Sequence, residues 1–368
     1  MRVLMTGGGT GGHVNPAIAI ANTIKKYNPD AVIEFVASSK TNDKACDLVP
    51  RAGYKLHKLD IRESYSIIDP RNVKTLFYMI KASAQAKKLI ADFKPDIIIG
   101  TGGFACYPLL KAGAAIGIPT AVHESNAIPG KAVKHLARRV DCVMTNFDLS
   151  GVLSGAKRLL RVGNPMLFDN DGAMGDLKSY NDARFARRVV CFGGSGGAKR
   201  LNEEMCRILP DLAAKYTDTH FCLASGMRDH AWVKESFQKS GLISLDNVEL
   251  VEYIYDMKER MASADLMICR AGAMTVSELA LMGKAAIFVP FPYAAANHQY
   301  GNAKAIADRE ACDLVTEEGF AQNKLAVSIE KLLFDGKLRQ TYSQNIKEFA
   351  DPNANSNIYA EILKLLEK

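Results

Sequence analysis

The sequence has no run of 18 or more apolar residues, so no segment reads as a membrane-spanning helix. It has no CxxC pair. Its eight cysteines stand singly, most in apolar contexts such as Val190-Cys191-Phe192, and read as buried reduced thiols instead of disulfides or a zinc site. Met1-Arg2-Val3-Leu4-Met5 runs straight into glycines, without the longer apolar core and cleavage site of a signal peptide, so a cytosolic chain is expected. There is no short solenoid period. The basic residues are dispersed and no aromatic-rich RNA-binding signature occurs, so nucleic acid is not expected as a partner.

What is present is the composition of a protein with large cores, 48% hydrophobic and 24% charged over 368 residues. That length fits two ordinary domains. Net charge is uneven, +11 over residues 1–163 and −4 over residues 164–368. Such asymmetry fits either an anionic partner for the first half, a membrane surface among them, or solvated basic helix faces.

Strand and helix signals alternate through the first half. Arg2 to Thr6, Ala31 to Ala37, Tyr54 to Leu59, Asp96 to Gly100, Thr120 to His123 and Val140 to Thr145 read as strands. Asn15 as N-cap and Pro16 as first residue predict a helix after the first glycines. Asp69-Pro70 opens a long helix running to about Asp92. After Gly163-Asn164-Pro165 the pattern restarts, with strands at Arg188–Phe192, Thr219–Ala224, Leu266–Cys269 and Ala286–Val289. Buried strands separated by helices specify parallel sheets covered on both faces. The expected fold class is α/β, two Rossmann-like parallel-sheet domains facing across a cleft, with ligands at the carboxyl ends of the strands. The expected divisions are 1–163, 164–350 and a terminal helix, 351–368, packing back on the first domain.

Each half places glycines between its first strand and helix. The first loop is Gly7-Gly8-Gly9-Thr10-Gly11-Gly12-His13. It formally matches GxGxxG, but the next strand ends in Ser38-Ser39 without the acidic residue that a dinucleotide site wants. His13 fits a general base near neutral pH and equally a helix-start histidine bonded to backbone. The second loop, Gly193-Gly194-Ser195-Gly196-Gly197-Ala198, fits a diphosphate cradle or a tight strand-to-helix turn.

Further polar groups follow later strands. In Arg270 to Glu278, Thr275 and Glu278 have capping-box spacing. Alternatively, amides there hold phosphate and the Glu278 carboxylate takes ribose hydroxyls. Asn297-His298-Gln299 fits sugar hydroxyls or a helix start capped by Asn297. His123-Glu124-Ser125-Asn126 clusters polar groups after a buried strand. Metal ligation by His123 and Glu124 lacks a second such pair to complete a site, and no protein-bound metal is expected. Asp169-Asn170-Asp171 is a DxD, but in a polar stretch that reads as a solvated loop.

These motifs, in this order and over nearly the whole chain, resemble the peptidoglycan N-acetylglucosaminyltransferase family. The resemblance implies the two-Rossmann GT-B architecture. It also implies inverting transfer of GlcNAc from UDP-GlcNAc to the muramyl 4-hydroxyl of lipid I, making lipid II, at the cytoplasmic face of the cell membrane. Carried over, it puts Thr10, Gly11 and Gly12 in the sugar-facing loop and Asn126 on the sugar. Ser195 meets the diphosphate and Ile254 the uracil. Ala273, Met274 and Thr275 line phosphate and sugar, Glu278 takes ribose, and Gln299 takes the GlcNAc hydroxyls, with His298 beside it at a substrate-binding position where a Gln is common in the family. His13 matches the family's proposed base. The chain departs from the family pattern at Met166-Leu167, where many members have Arg, and at Arg62-Glu63-Ser64-Tyr65. The basic-apolar stretch Val73 to Lys81, with Lys87-Lys88, then reads as a docking element for an anionic membrane surface, or as a core helix with a basic outer face. A related transferase with another lipid acceptor, a UDP-GlcNAc epimerase and a noncatalytic nucleotide-sugar-binding protein are the competing readings.

Overall fold

A computed structural model of the chain describes residues 1–39, 43–61, 72–167, 182–194 and 196–367. The loop at 62–65, the DxD at 169–171, the helix opening at 69–70 and Ser195 lie outside the described residues. Two units divide the chain, Met1–Asp169 with Asp351–Lys368, and Asn170–Ala350.

Unit 1 alternates strand and helix: β1 Arg2–Thr6, α1 Gly11–Tyr27, β2 Val32–Ser38, α2 Ala45–Arg51, β3 Lys55–Leu59, α3 Asn72–Phe93, β4 Ile97–Gly100, α4 Cys106–Ala115, β5 Thr120–Glu124, α5 Lys131–Leu136, β6 Cys142–Thr145 and β7 Leu159–Arg161. All strand pairs are parallel, in the order β3-β2-β1-β4-β5-β6-β7. The centre is apolar on both faces because helices cover both. Val3, Leu4 and Met5 of β1 and Ile97, Ile98 and Ile99 of β4 are all fully buried. The strand order reverses between β1 and β4, and the crevice at such a switch point is where α/β sheets bind ligands.

The first helix begins five residues before the expected start. Its N-cap is Thr10, in extended conformation, and Pro16 sits inside it. Pro16 is its sixth residue, past the first four amides that lack an intrahelical acceptor, so the helix forgoes the bond an amide there would make to the Gly12 carbonyl. The buried stripe Val14, Ala17, Ile18, Ala21 and Ile24 gives the helix its inward face. His13 therefore lies in the first helical turn.

Unit 2 repeats the plan: β8 Arg187–Phe192, α6 Lys199–Lys215, β9 Thr219–Ala224, α7 His230–Lys239, β10 Val248–Val251, α8 Met257–Ser263, β11 Leu266–Cys269, α9 Ala273–Met282, β12 Ala286–Phe288, α10 His298–Ala307, β13 Asp313–Leu314, α11 Lys324–Phe334 and α12 Gly336–Asn345. Its six parallel strands run β10-β9-β8-β11-β12-β13, with the switch point between β8 and β11.

The last helix, α13 Ala354–Leu366, belongs to unit 1. Ile358, Ile362 and Leu365 are buried in the unit 1 core, each contributing about 1.5–3 kcal/mol relative to exposure. Tyr359 stacks on Tyr27 at 4.8 Å, and Glu361 pairs with Arg158 at 2.8 Å. Gly163 explains why the Gly-Asn-Pro turn needs glycine. Its φ is +85°, and a Cβ there would lie 2.7 Å from that of Asp351 and 2.9 Å from that of Ala354.

Candidate active-site edges of the two units

In unit 1 the loops after β1 and β4 meet around His13. Its Nδ1 lies 3.1 Å from the Thr101 carbonyl oxygen. A carbonyl only accepts, so Nδ1 carries the proton and the neutral ring has its lone pair on Nε2, the tautomer a general base requires. The Thr101 hydroxyl donates to the His13 carbonyl at 2.6 Å, a second tie between the same two segments. Gly102 closes on the ring, since a Cβ there would lie 2.8 Å from Nδ1.

Asp43 braces the loop from behind. Its carboxylate is buried and accepts from the amides of Gly9 at 2.8 Å, Ala45 at 3.0 Å and Ser38 at 3.3 Å. Gly9, at φ +91°, makes the turn, and the Thr10 side chain makes no capping bond to α1. Thr10 and Gly12 are exposed and Gly11 half-buried.

His123 and Glu124 are both held by protein partners. His123 is fully buried and donates from Nε2 to the Gly163 carbonyl at 2.8 Å; burial lowers its pKa. The Glu124 carboxylate accepts from the Asn126 amide, the Asn126 side chain and the Gly130 amide, at 3.0, 2.9 and 2.8 Å. The segment thus holds Asn126 in place. Among the described residues, no group of three or more His, Cys, Asp or Glu is placed to hold a metal ion.

In unit 2 the predicted residues that are described gather along the carboxyl edge of the second sheet, on the loops after β10, β11 and β12. The glycine loop turns at Gly194 and Gly197, both with positive φ. α6 starts only at Lys199, with Ala198 as N-cap. The loop after β9 packs directly against it, since a Cβ on Gly226 would lie 2.1 Å from the Gly197 nitrogen. Ile254 is buried.

The capping-box explanation for Thr275 and Glu278 does not hold. The N-cap of α9 is Gly272, and the helix starts at Ala273. Glycine, free of Cβ constraints, takes the cap position before the apolar run. Ala273, Met274 and Thr275 are thereby the first three helical residues, whose amides by position lack an intrahelical acceptor. Glu278 lies three residues beyond Thr275, on the same face. Burial pushes its carboxyl up to about 7 from an ordinary 4.5. Its contribution to folding stability is full below 4.5 and is lost as pH rises through about 7, because between those values the folded chain keeps a proton that the unfolded chain releases.

Asn297 sits at the N-cap of α10 with φ +55° and no side-chain capping bond, so it does not cap the helix as its sequence position suggested. His298 Nδ1 donates to the Ala295 carbonyl at 2.6 Å. The Gln299 side-chain oxygen accepts from the Phe291 amide at 2.9 Å, which leaves its NH₂ group as the donor to offer. Arg270 bonds the Val289 and Pro290 carbonyls and pairs with Glu317 at 2.6 Å, fastening the loop after β12. Asp43, Thr101 and Arg270 carry positions that residue type alone did not single out for these tasks.

Two parallel-sheet Rossmann-type units in one chain, each with glycines after its first strand, define the GT-B class of fold. The family model for the glycosyltransferase family 28 N-terminal domain matches residues 3–145, and that for the family 28 C-terminal domain matches residues 188–358. The chain belongs to glycosyltransferase family 28. It is 34% identical, over the full length of both chains, to the UDP-N-acetylglucosamine–N-acetylmuramyl-(pentapeptide) pyrophosphoryl-undecaprenol N-acetylglucosamine transferase of Alkaliphilus metalliredigens. It is 32% identical to the enzyme of that name from Limosilactobacillus fermentum, covering 100% of this chain and 99% of the other. The crystal structure of Acinetobacter baumannii MurG superimposes with a TM-score of 0.75 at 26% identity, covering 99% of each chain. A UDP-GlcNAc 2-epimerase from Neisseria meningitidis shares the fold, with TM-score 0.68 at 15% identity over 99% of this chain and 100% of that one.

Proposed function

We propose that this chain transfers GlcNAc from UDP-GlcNAc to the MurNAc 4-hydroxyl of undecaprenyl-pyrophosphoryl-MurNAc-pentapeptide, with inversion. The observation that carries this reading is full-length likeness to transferases named for that reaction. The His13 geometry supports the chemistry. In one displacement, the acceptor O4 bonds to the anomeric carbon and gives its proton to His13 Nε2. The bond from that carbon to the β-phosphate oxygen breaks, and UDP departs with the electron pair. Unit 2 holds the donor. The loop at 193–198 and the first turn of α9 offer amides to the diphosphate, and Glu278 accepts from the ribose hydroxyls. We assign Gln299 and His298 of unit 2, and Asn126 and the Thr10–Gly12 loop of unit 1, to the sugar.

A carboxylate accepts from a diol better than a carboxylic acid does. UDP-GlcNAc affinity therefore rises as pH passes upward through about 7, where Glu278 ionises. Calorimetric titrations from pH 6 to 8 should show this rise in the native chain and none in Glu278→Gln. A rise that persists in Glu278→Gln would assign it to another group.

The acceptor is a membrane lipid, and we place the chain at the cytoplasmic face as a peripheral protein. No helix among the described residues is long and apolar enough to cross a membrane. Lys134, His135, Arg138 and Arg139 of unit 1 line one shallow cavity with Val152, Ser154 and Gly155 and no carboxylate. Lys111 on α4 is exposed, as are Ile80 on α3 and Ile116 at the end of α4. Lys81, by contrast, is paired with Asp60 at 2.6 Å. Each basic residue close to an anionic leaflet contributes about 1 kcal/mol. The test is a transfer assay with UDP-GlcNAc and a lipid I analogue in neutral or anionic vesicles. The product should be the disaccharide lipid, formed faster on anionic vesicles and unaffected by EDTA, since this reading assigns no resident metal. ManNAc formation from UDP-GlcNAc alone would instead establish an epimerase.

A further inference from the structure

Arg228 lies on the loop after β9, two residues beyond the glycine that packs on the second glycine loop. Its Nε donates to the Gly196 carbonyl at 2.9 Å. A Cβ on Gly196 would lie 3.0 Å from Nη2, so the guanidinium rests along a stretch of loop that has no side chain to cover it. Arg228 is exposed, and neither Nη has a hydrogen-bond or carboxylate partner among the described residues. The adjacent Asp229 is engaged instead by the Asn202 side chain, at 3.0 Å. A guanidinium held by one nitrogen, with its two-nitrogen fork open beside a loop of backbone amides, is preorganised for a phosphate.

We propose that Arg228 is a donor-binding residue that contacts the diphosphate of the nucleotide-sugar and shares the negative charge on the departing UDP. This rests on the reading of unit 2 as the UDP-GlcNAc unit. The positive charge and the open fork carry the role; the bond to Gly196 only aims them.

The test is calorimetric titration of the intact chain, Arg228→Gln and Arg228→Lys with UDP and with uridine. Glutamine keeps a donor for the Gly196 carbonyl but removes the charge. Arg228→Gln should weaken UDP binding about tenfold, as for loss of one charge-assisted hydrogen bond, and leave uridine binding unchanged. Arg228→Lys should fall between the two. Equal UDP affinity in the native chain and Arg228→Gln overturns the proposal while leaving the donor assignment standing. An equal loss for UDP and uridine also overturns it, because that reports a rearranged loop. A native chain that binds neither ligand overturns the donor assignment and this proposal with it.

Discussion

His13→Ala slows transfer by about 10²–10⁴-fold, the span typical of a positioned general base, and leaves UDP affinity unchanged. The expectation follows from how the ring is held. The Thr101 carbonyl fixes the proton on Nδ1, so the basic lone pair is on Nε2 in the neutral form. The groups assigned to UDP all belong to unit 2, so removing an imidazole from unit 1 does not touch them. His13→Asn is the sharper control, because asparagine keeps a donor for Thr101 but has no base. It should be as slow as alanine. Turnover near the native rate in either variant would end the base assignment, and weakened UDP binding would show that His13 contributes to the donor site.

Gly102→Ala is expected to lower kcat by about 10²-fold, the scale of a displacement of about 1 Å in a catalytic group, and to lower the melting temperature as well. Two effects combine. The new Cβ would lie 2.8 Å from His13 Nδ1 and 3.0 Å from Cε1, so the ring must move off the Thr101 carbonyl. The backbone is also at φ +96°, a conformation that costs a non-glycine residue about 1–3 kcal/mol. Gly53→Ala separates the two. It has φ +83° and nothing within 4 Å of the new Cβ, so it bears the conformational cost alone. Thermal melts should fall for both variants while steady-state kinetics change only for Gly102→Ala. Full activity in Gly102→Ala would mean that the clamp on His13 is unimportant.

Strands buried on both faces were plain in the sequence. Thr219–Ala224 and Leu266–Cys269 have their expected bounds, because an unbroken apolar run admits few other readings. Strands β7, β10 and β13 did not stand out. They are short and half-buried edge strands, so no apolar run announces them. Pro16 misplaced the start of α1, because a proline that ordinarily opens a helix is here carried inside its first turns. At the site, glycine-rich loops were legible because glycine after a strand has few other uses. The partners that orient them were not. Asp43 and Arg228 act through backbone groups distant in sequence, and Thr101 binds His13 with a carbonyl that every residue type possesses. His123 and Glu124 drew attention as polar residues after a buried strand, yet burial had already committed both to protein partners.

The return of α13 to unit 1 bears on the order in which the chain becomes structured during synthesis. The second unit is an insertion, read out entirely between the two pieces of the first. Domains generally fold in the order in which they emerge from the ribosome. Here unit 2 is complete when residue 350 has been made, while unit 1 still lacks Ile358, Ile362 and Leu365 from its core. The unit carrying His13 is begun first and closed last, so a nascent chain released a dozen residues early would retain a whole second unit and an open first one.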